Sequence, residues 1–273
     1  MSRALAVFHG QFGRASLYKL NRPLAPHAHR EGHLIFLVEG APATIVVDGE
    51  AHAITPDQGV AISPWQPHEF HPGDFSEGAV FLTLYISPRW FSDRAEGVQE
   101  QMRFGSVPFC RERHIDKTVD RVVNAQMEGV RGDLFEGELL ALTGAAFEAS
   151  WQARNAGHNP VWSRASDFRI RNAIRLMNER VTDNCVLDKI ARDAGLSRPH
   201  FYKLFRQHVG LTPNLYLNTL RLEKSIDRLI SSADAVTSIG LDLGFASQAS
   251  FTRFFSNNVG IAPTDYRRVS LMN

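Results

Sequence analysis

The sequence predicts an α+β protein of two domains, a β-barrel with appended helices followed by an all-α domain with two helix-turn-helix motifs. Three observations lead to this fold class. Short β-branched segments fill the first part of the 273-residue chain, and apolar residues recur at helical spacing from about residue 112. A helical unit also occurs twice near the C-terminus. We place the domains at residues 1–152 and 166–273, joined by a linker at 153–165.

The composition is that of a globular protein in a reducing compartment. Apolar residues make up 44% of the chain and charged residues 22%, which excludes a disordered or fibrous protein. No apolar run approaches the roughly 18 residues that span a bilayer, and the N-terminus lacks the apolar core of a secretory signal. Two cysteines, Cys110 and Cys185, cannot form a disulfide framework. We therefore predict a cytoplasmic protein that does not contact membranes.

Charge is distributed unequally along the chain. Residues 1–163 hold 14 basic and 19 acidic residues, whereas residues 164–273 hold 16 and 10, so a net charge of −5 precedes one of +6. This asymmetry favours a polyanion as the partner of the second part only. A chance imbalance of surface charge is the alternative.

The first domain begins with segments that are typical of strands. Apolar, β-branched runs at 34–38, 43–47 and 60–62 are separated by turn signals such as Asp48-Gly49. Their regular spacing predicts a small β-barrel or jelly roll.

Two amphipathic helices are predicted after these strands, at about 115–130 and 134–151. Their apolar stripes could pack on the barrel or on a second subunit. A barrel of about 90 residues would leave part of the stripes exposed, and monomers rarely tolerate large apolar patches. We therefore predict a homodimer that forms through residues 112–152.

A repeat is the strongest signal in the second domain. Each copy has a short helix, a glycine (Gly195 or Gly244), a serine suited to capping (Ser197 or Ser247) and an amphipathic second helix. Two copies cannot build a solenoid, and this layout is that of a helix-turn-helix. The pairs related by a shift of 50 include Phe201 and Phe251, Phe205 and Phe255, Gly210 and Gly260, Pro213 and Pro263, and Tyr216 and Tyr266.

The outward face of each second helix carries side chains that can hydrogen-bond to base edges in a major groove. Any helix surface is polar, but two such faces on a basic domain predict that the protein binds double-stranded DNA. The candidate DNA-binding residues are Arg198, Pro199, Tyr202, Lys203 and Arg206 in the first copy, and Ser247, Gln248, Ser250, Thr252 and Arg253 in the second.

Residues 169–269 resemble the DNA-binding domain of the AraC/XylS family of bacterial transcription regulators. The resemblance is carried by LDKIARDAGLS at 187–197, LRLEK at 220–224, IGLDLGF at 239–245, SQASFTRFF at 247–255 and GIAPTDYR at 260–267. It implies a sequence-specific regulator of the bacterial cytoplasm that binds an operator and, as an activator, contacts RNA polymerase. The family usually has a bulky or basic residue where this chain has Pro199.

A histidine cluster marks the first domain. His27, His29, His33 and His68, with Gly40, Gly59 and Pro64, resemble the two motifs of the cupins, in which a glutamate commonly stands at the position of His33. These imidazoles either contact a ligand or have a structural role, or they hold a divalent metal such as Zn, Fe, Ni or Cu. We predict that no cofactor is required.

The mouth of the barrel is the predicted site of a small-molecule effector. We therefore predict a transcription regulator that is not an enzyme; the alternative is a metal-dependent cupin enzyme or a metal sensor fused to a DNA-binding domain. Arg14, Arg22 and Arg30 could favour an anionic ligand, although surface arginines are more often simply solvated. The candidate ligand-binding residues are His27, His29, His33, Phe36, Trp65, His68 and Phe70.

Overall fold

The computed structural model describes residues 2–95, 98, 101–153, 167–181 and 187–272. It divides into two compact units, one of residues 1–156 and 257–273 and the other of residues 157–256. Most of the predicted linker, and Cys185, lie outside the described residues. The sequence predicted one domain for 166–273, whereas in the structure residues 257–273 group with the first unit.

The first unit is built on antiparallel strands in two sheets. One sheet has the strand order β1-β2-β9-β4-β7-β10 and the other β3-β8-β5-β6. The predicted strands and the hairpin at Asp48-Gly49 are present, and both turn residues have positive φ. The described strands are β1 (Arg3–Gly10), β2 (Gly13–Leu20), β3 (Leu24–His27), β4 (Gly32–Glu39), β5 (Ala43–Val47), β6 (Glu50–Ile54), β7 (Gln58–Ile62), β8 (His68–His71), β9 (Ala79–Ile86) and β10 (Pro108–Cys110).

The six-stranded sheet has two different faces because side chains alternate along each strand. On β2, Ala15 and Leu17 belong to a large apolar cluster, together with residues of the helices that follow the strands. Tyr18 and Leu20, on the opposite face, line a cavity whose other walls come from the second sheet. One face therefore builds the core, and the other faces the interior of the barrel.

Two helices cover the core face of this sheet, namely α2 (Arg113–Met127) and α3 (Asp133–Gln152). Much of their apolar stripes is buried within the chain: Ile115, Leu139 and Leu142 have no exposed surface and therefore do not form the predicted dimer interface. Met127 on α2 and Leu134 on α3 are exposed, so a homodimer through residues 112–152 stays a prediction. The short helix α1 (Pro88–Ser92) adds Trp90 and Phe91 to the same core.

The last helix, α10 (Pro263–Met272), packs on β1 within the first unit. Tyr266 is fully buried, and its hydroxyl accepts a hydrogen bond from Nη1 of Arg14 at 3.1 Å. The same hydroxyl lies 3.0 Å from Nε2 of His9. The C-terminal segment therefore completes the fold of the strand-rich unit.

The second unit is helical, and the predicted order of short helix, glycine and second helix is present in both copies, although the side chain of Ser197 forms no capping hydrogen bond at the start of the second helix. Gly195 and Gly244 have φ of 71° and 82°, the left-handed conformation expected after a short helix. Among the described residues, no helix is long and apolar enough to cross a bilayer. The helices are α4 (Phe168–Glu179), α5 (Leu187–Asp193), α6 (Arg198–Val209), α7 (Pro213–Ser231), α8 (Val236–Asp242) and α9 (Gln248–Val259), whose last residues group with the first unit.

The two copies differ at one buried position in their first helices. Ala191 in α5 corresponds to Gly240 in α8. A Cβ atom on Gly240 would lie 2.7 Å from Cβ of Phe251, closer than side chains pack. The second copy therefore brings α8 and α9 so close together that only glycine fits at position 240.

Candidate functional site

The first recognition helix, α6, presents a polar face opposite a buried aromatic one. Phe201 and Phe205 have no exposed surface and hold the helix in its unit. Arg198, Pro199, Lys203 and Arg206 are exposed, and Tyr202 is half-buried. Arg198 pairs with Asp188 at 3.3 Å, whereas Lys203 and Arg206 form no ion pair with any described residue.

The equivalent helix, α9, presents a less charged face. Ser247, Gln248 and Arg253 are exposed, while Ser250 and Thr252 are half-buried. The amide of Ser250 donates to Oγ of Ser247 at 3.2 Å, and the amide of Ser247 donates to Oγ of Ser250 at 3.1 Å. These serines therefore fix the start of the helix, as a capping serine should. The DNA contacts of all ten candidate residues stay predictions.

Four aligned side chains cross the interior face of the six-stranded sheet. His9 pairs with Arg14, Arg14 with Tyr85, and Tyr85 with His33, each on the neighbouring strand. We call these four residues the polar row. Cζ of Arg14 lies 3.6 Å from the centroid of the Tyr85 ring, which stacks on His33 at 4.3 Å. The row thus leads from Tyr266 of α10 to the histidine cluster.

The structure brings the four predicted histidines together. His27 ends β3 directly opposite His68 of β8, and their ring centroids are 4.4 Å apart. His29 lies 5.0 Å from His68 and 5.2 Å from His33 by the same measure. All four are at most 6% exposed. Strand pairing thus produces the convergence that the spacing in the sequence suggested.

The environment keeps these imidazoles neutral. Burial, assisted by the positive charge of Arg14, lowers the pKa of His27 to about 4 and that of His33 to about 3. Burial and the neighbouring histidines hold the pKa of His29 and of His68 well below the usual value. Each ring therefore has one N–H group and one lone pair at neutral pH.

Arg14 is the residue whose environment differs most from the sequence expectation. It is only 7% exposed, so the interpretation of a solvated surface arginine is wrong for this position. Its Nε has no hydrogen-bond partner among the described residues, and none of the described carboxylates forms an ion pair with it. A buried guanidinium that lacks a carboxylate partner favours an anionic ligand.

Two predicted ligand-binding residues lie elsewhere. Phe36 points to the core face of the sheet, where it meets Phe109 at 5.9 Å between ring centroids. Phe36 lies three residues after His33 on β4. Because side chains alternate along a strand, Phe36 points to the face opposite that of His33. Trp65 lies in a loop, half-buried, with Arg30 at 5.6 Å from its ring centroid, and does not line the cavity.

The sequence interpretation also missed residues that line the interior. Tyr18, Thr83 and Tyr85 line the cavity beside His27, His33, His68 and Phe70. The alternation of Arg14, Ser16 and Tyr18 along one strand was the available signal. The cavity measures about 20 Å³, which is room for about one water molecule.

Two family models match this chain. The AraC-like ligand binding domain matches residues 15–143, and a helix-turn-helix domain matches residues 190–269. Together they cover more than half of the chain, and they coincide with the strand-rich part of the first unit and with both repeat copies.

Known regulators and structures resemble the chain to different extents. An uncharacterized HTH-type transcriptional regulator of Haemophilus influenzae is 29% identical over 102 residues, which is 37% of this chain and 34% of that protein. The match thus spans about a third of that relative's length. The transcriptional activator RhaS of Escherichia coli O127:H6 is 26% identical over 89% of this chain and 87% of its own.

The fold is shared with a solved structure. ToxT from Vibrio cholerae, crystallised with an unsaturated fatty acid, superposes with a TM-score of 0.59 over 95% of this chain and 96% of its own, at 14% identity. That likeness supports the architecture of a strand-rich domain followed by a helical one. With both family models in chain order and a match to RhaS over 87% of its length, the chain belongs to the AraC-type family of transcriptional regulators.

Proposed function

We propose that this protein binds operator DNA through α6 and α9 and that a small molecule in the barrel controls this binding. The observation that carries the proposal is the repeated helix-turn-helix, in which each second helix exposes a basic side chain at the same position, Lys203 or Arg253. Two such helices suit sites about one helical turn, or 34 Å, apart on one face of the duplex. The net charge of +6 on residues 164–273 supplies non-specific attraction.

Selection of DNA from a random duplex pool tests this function. We expect full-length protein to enrich two half-sites whose centres are about 10 base pairs apart. Binding to the enriched sequence should exceed binding to scrambled DNA by about 10³-fold or more at physiological salt. A pool that stays random after repeated selection, with only salt-sensitive binding, would contradict sequence-specific recognition.

We further propose that the effector carries an anionic group. Arg14 supports this, because it is buried, lacks a carboxylate partner among the described residues and faces the barrel interior next to Tyr85. The effector must be small or must open the barrel, since the cavity has room for about one water.

Tyr266 offers a route from this anion to the C-terminal helix. Its hydroxyl hydrogen-bonds to Arg14, and it lies within the segment that matches the helix-turn-helix model. An acid that forms an ion pair with Arg14 would compete with the hydrogen bond between Arg14 and Tyr266. Loss of that hydrogen bond would favour a different position of α10. A ligand can shift such an equilibrium only when it binds the two states with different affinity.

Thermal unfolding of the full chain in a panel of small carboxylic acids, each paired with its uncharged amide, checks the anionic effector. We expect at least one acid to raise Tm while its amide does not. Arg14→Gln should weaken the binding of that acid by about 10- to 100-fold, because a charge-assisted hydrogen bond contributes about 1.5–3 kcal/mol. Equal shifts from acid and amide, or an unchanged response in Arg14→Gln, would exclude this role.

The remaining partners follow from the family. We propose a homodimer whose interface excludes the buried side chains of α2 and α3. We also propose that the protein activates transcription through contact with RNA polymerase; the relative RhaS is named a transcriptional activator. A regulator of this kind acts where the chromosome is, in the bacterial cytoplasm. We propose no catalytic role, and the absence of turnover by metal-loaded protein on small organic acids would support this.

A further inference from the structure

Three rings of the histidine cluster are oriented by main-chain carbonyl groups, an arrangement that effector binding does not require. Carbonyl groups can only accept hydrogen bonds. Nδ1 of His27 lies 2.7 Å from the carbonyl oxygen of Ala25, and Nδ1 of His68 lies 2.9 Å from that of Gln66. Nδ1 of His33 lies 3.0 Å from the carbonyl oxygen of Leu84. These three rings therefore carry their proton on Nδ1 and their lone pair on Nε2.

Two ring nitrogens of the cluster have no hydrogen-bond partner among the described residues. Nε2 of His29 and Nε2 of His68 are buried and have no partner in the described structure. Ring nitrogens of His27, His29 and His68, one from each residue, lie within 4.8 Å of one another. Buried polar atoms in proteins are nearly always satisfied, so two unsatisfied ring nitrogens side by side indicate a missing partner such as a cation.

We propose that His27, His29 and His68 bind a divalent transition metal ion, with His33 beside them. His27 and His68 are fixed through Nδ1 by carbonyl groups, which is the arrangement in which proteins present Nε2 to a metal. A set of nitrogen ligands suits Zn²⁺, Fe²⁺, Ni²⁺ or Cu²⁺ rather than Mg²⁺ or Ca²⁺. A metal–nitrogen distance of about 2.0–2.1 Å would draw the three atoms together by small torsional changes.

The cavity and the polar row agree with a metal ion. A space of about 20 Å³ admits an ion or a water molecule but no larger group. Three protein ligands leave a coordination position open toward the cavity, which His27, His33 and His68 line. Because Arg14 adds a positive charge on the far side of Tyr85, an anion is favoured in that position.

Metal analysis of full-length protein, purified without a polyhistidine tag, tests the proposal. After chelator treatment and dialysis, calorimetric titration with Zn²⁺ should give one ion per chain and a higher Tm. His29→Ala should lose at least about 100-fold in affinity, more than the 10- to 100-fold that supporting residues contribute. Titration with Co²⁺ should produce the visible absorption of a four-coordinate ion in wild-type protein and not in the variant.

His71→Ala is the matched control, because His71 lies on the same strand as His68 but is exposed. It should bind Zn²⁺ as wild type does. His29→Gln, which keeps most of the side-chain volume, replaces His29→Ala should the latter fail to fold. A metal content below one tenth of an ion per chain would overturn the proposal, and so would equal Zn²⁺ affinity in the wild type and the folded His29 variant. Either result would mean that a water molecule, not a metal ion, lies among the rings. Neither result bears on DNA binding, which the duplex selection tests separately.

Discussion

Replacing Leu139 or Leu142 by aspartate is expected to unfold the strand-rich unit rather than to produce a folded monomer. Both side chains have no exposed surface and pack with the core face of the six-stranded sheet. Truncating a buried leucine costs about 2–5 kcal/mol, and burying a carboxylate costs more. Against a typical total of about 5–15 kcal/mol, such a loss removes most of the stability.

Urea denaturation followed by tryptophan fluorescence measures this loss, because Trp90 is buried in the same core and donates a hydrogen bond to Glu136 of α3 at 3.2 Å. Leu134→Asp is the matched control, since Leu134 lies on the same helix and is 70% exposed. Its free energy of unfolding should change by less than about 0.5 kcal/mol. A soluble, fully folded monomer from Leu139→Asp would instead place Leu139 in a dimer interface and contradict its burial in the core.

Removing both Lys203 and Arg253 is expected to abolish specific recognition of the operator. These exposed side chains occupy equivalent positions in α6 and α9, and neither forms an ion pair with a described residue. Each base contact contributes about 1–3 kcal/mol. The effects of substitutions at well-separated sites add. The double variant Lys203→Ala with Arg253→Ala should therefore lose about 2–6 kcal/mol of binding free energy.

Competition binding on the selected duplex and on half-site variants measures this effect. Each single variant should relax discrimination at its own half-site only. An equal loss of affinity for all sequences, with the slope of log affinity against log salt concentration reduced by about one, would show that the side chain contacts a phosphate instead. Arg175→Ala on α4 removes an exposed charge that pairs with Glu179 at 2.8 Å, and it should bind almost as wild type does. Wild-type affinity in both single variants would exclude α6 and α9 as the reading helices.

Local patterns predicted the helical repeat well, because its determinants are short-range. Gly195 and Gly244 each end a short helix two or three residues before a serine, and the aromatic pairs keep the helical period. The histidine cluster was also predicted, since His27, His29 and His33 are close in sequence. The strand pairing of His27 with His68 then added the distant member.

Features set by tertiary packing could not be predicted in the same way. Whether Leu139 meets a barrel or a second subunit depends on the area of a sheet that no local window reveals. Arg14 was expected in solvent because arginine usually is, and only the pairing of β1, β2 and β9 buries it between His9 and Tyr85. Phe36 was expected on the face of β4 that carries His33, but the alternation of side chains along the strand places it on the opposite face.

The return of α10 to β1 has a consequence for synthesis of the chain on the ribosome. Residues 1–156 emerge first, but the unit to which they belong also includes residues 257–273. At about 5–20 residues per second, the intervening 100 residues delay completion by roughly 5–20 s. During that interval Arg14 lacks the hydroxyl of Tyr266, and the surface of β1 that α10 covers faces water. The nascent strand-rich unit thus exposes this surface until α10 leaves the ribosome.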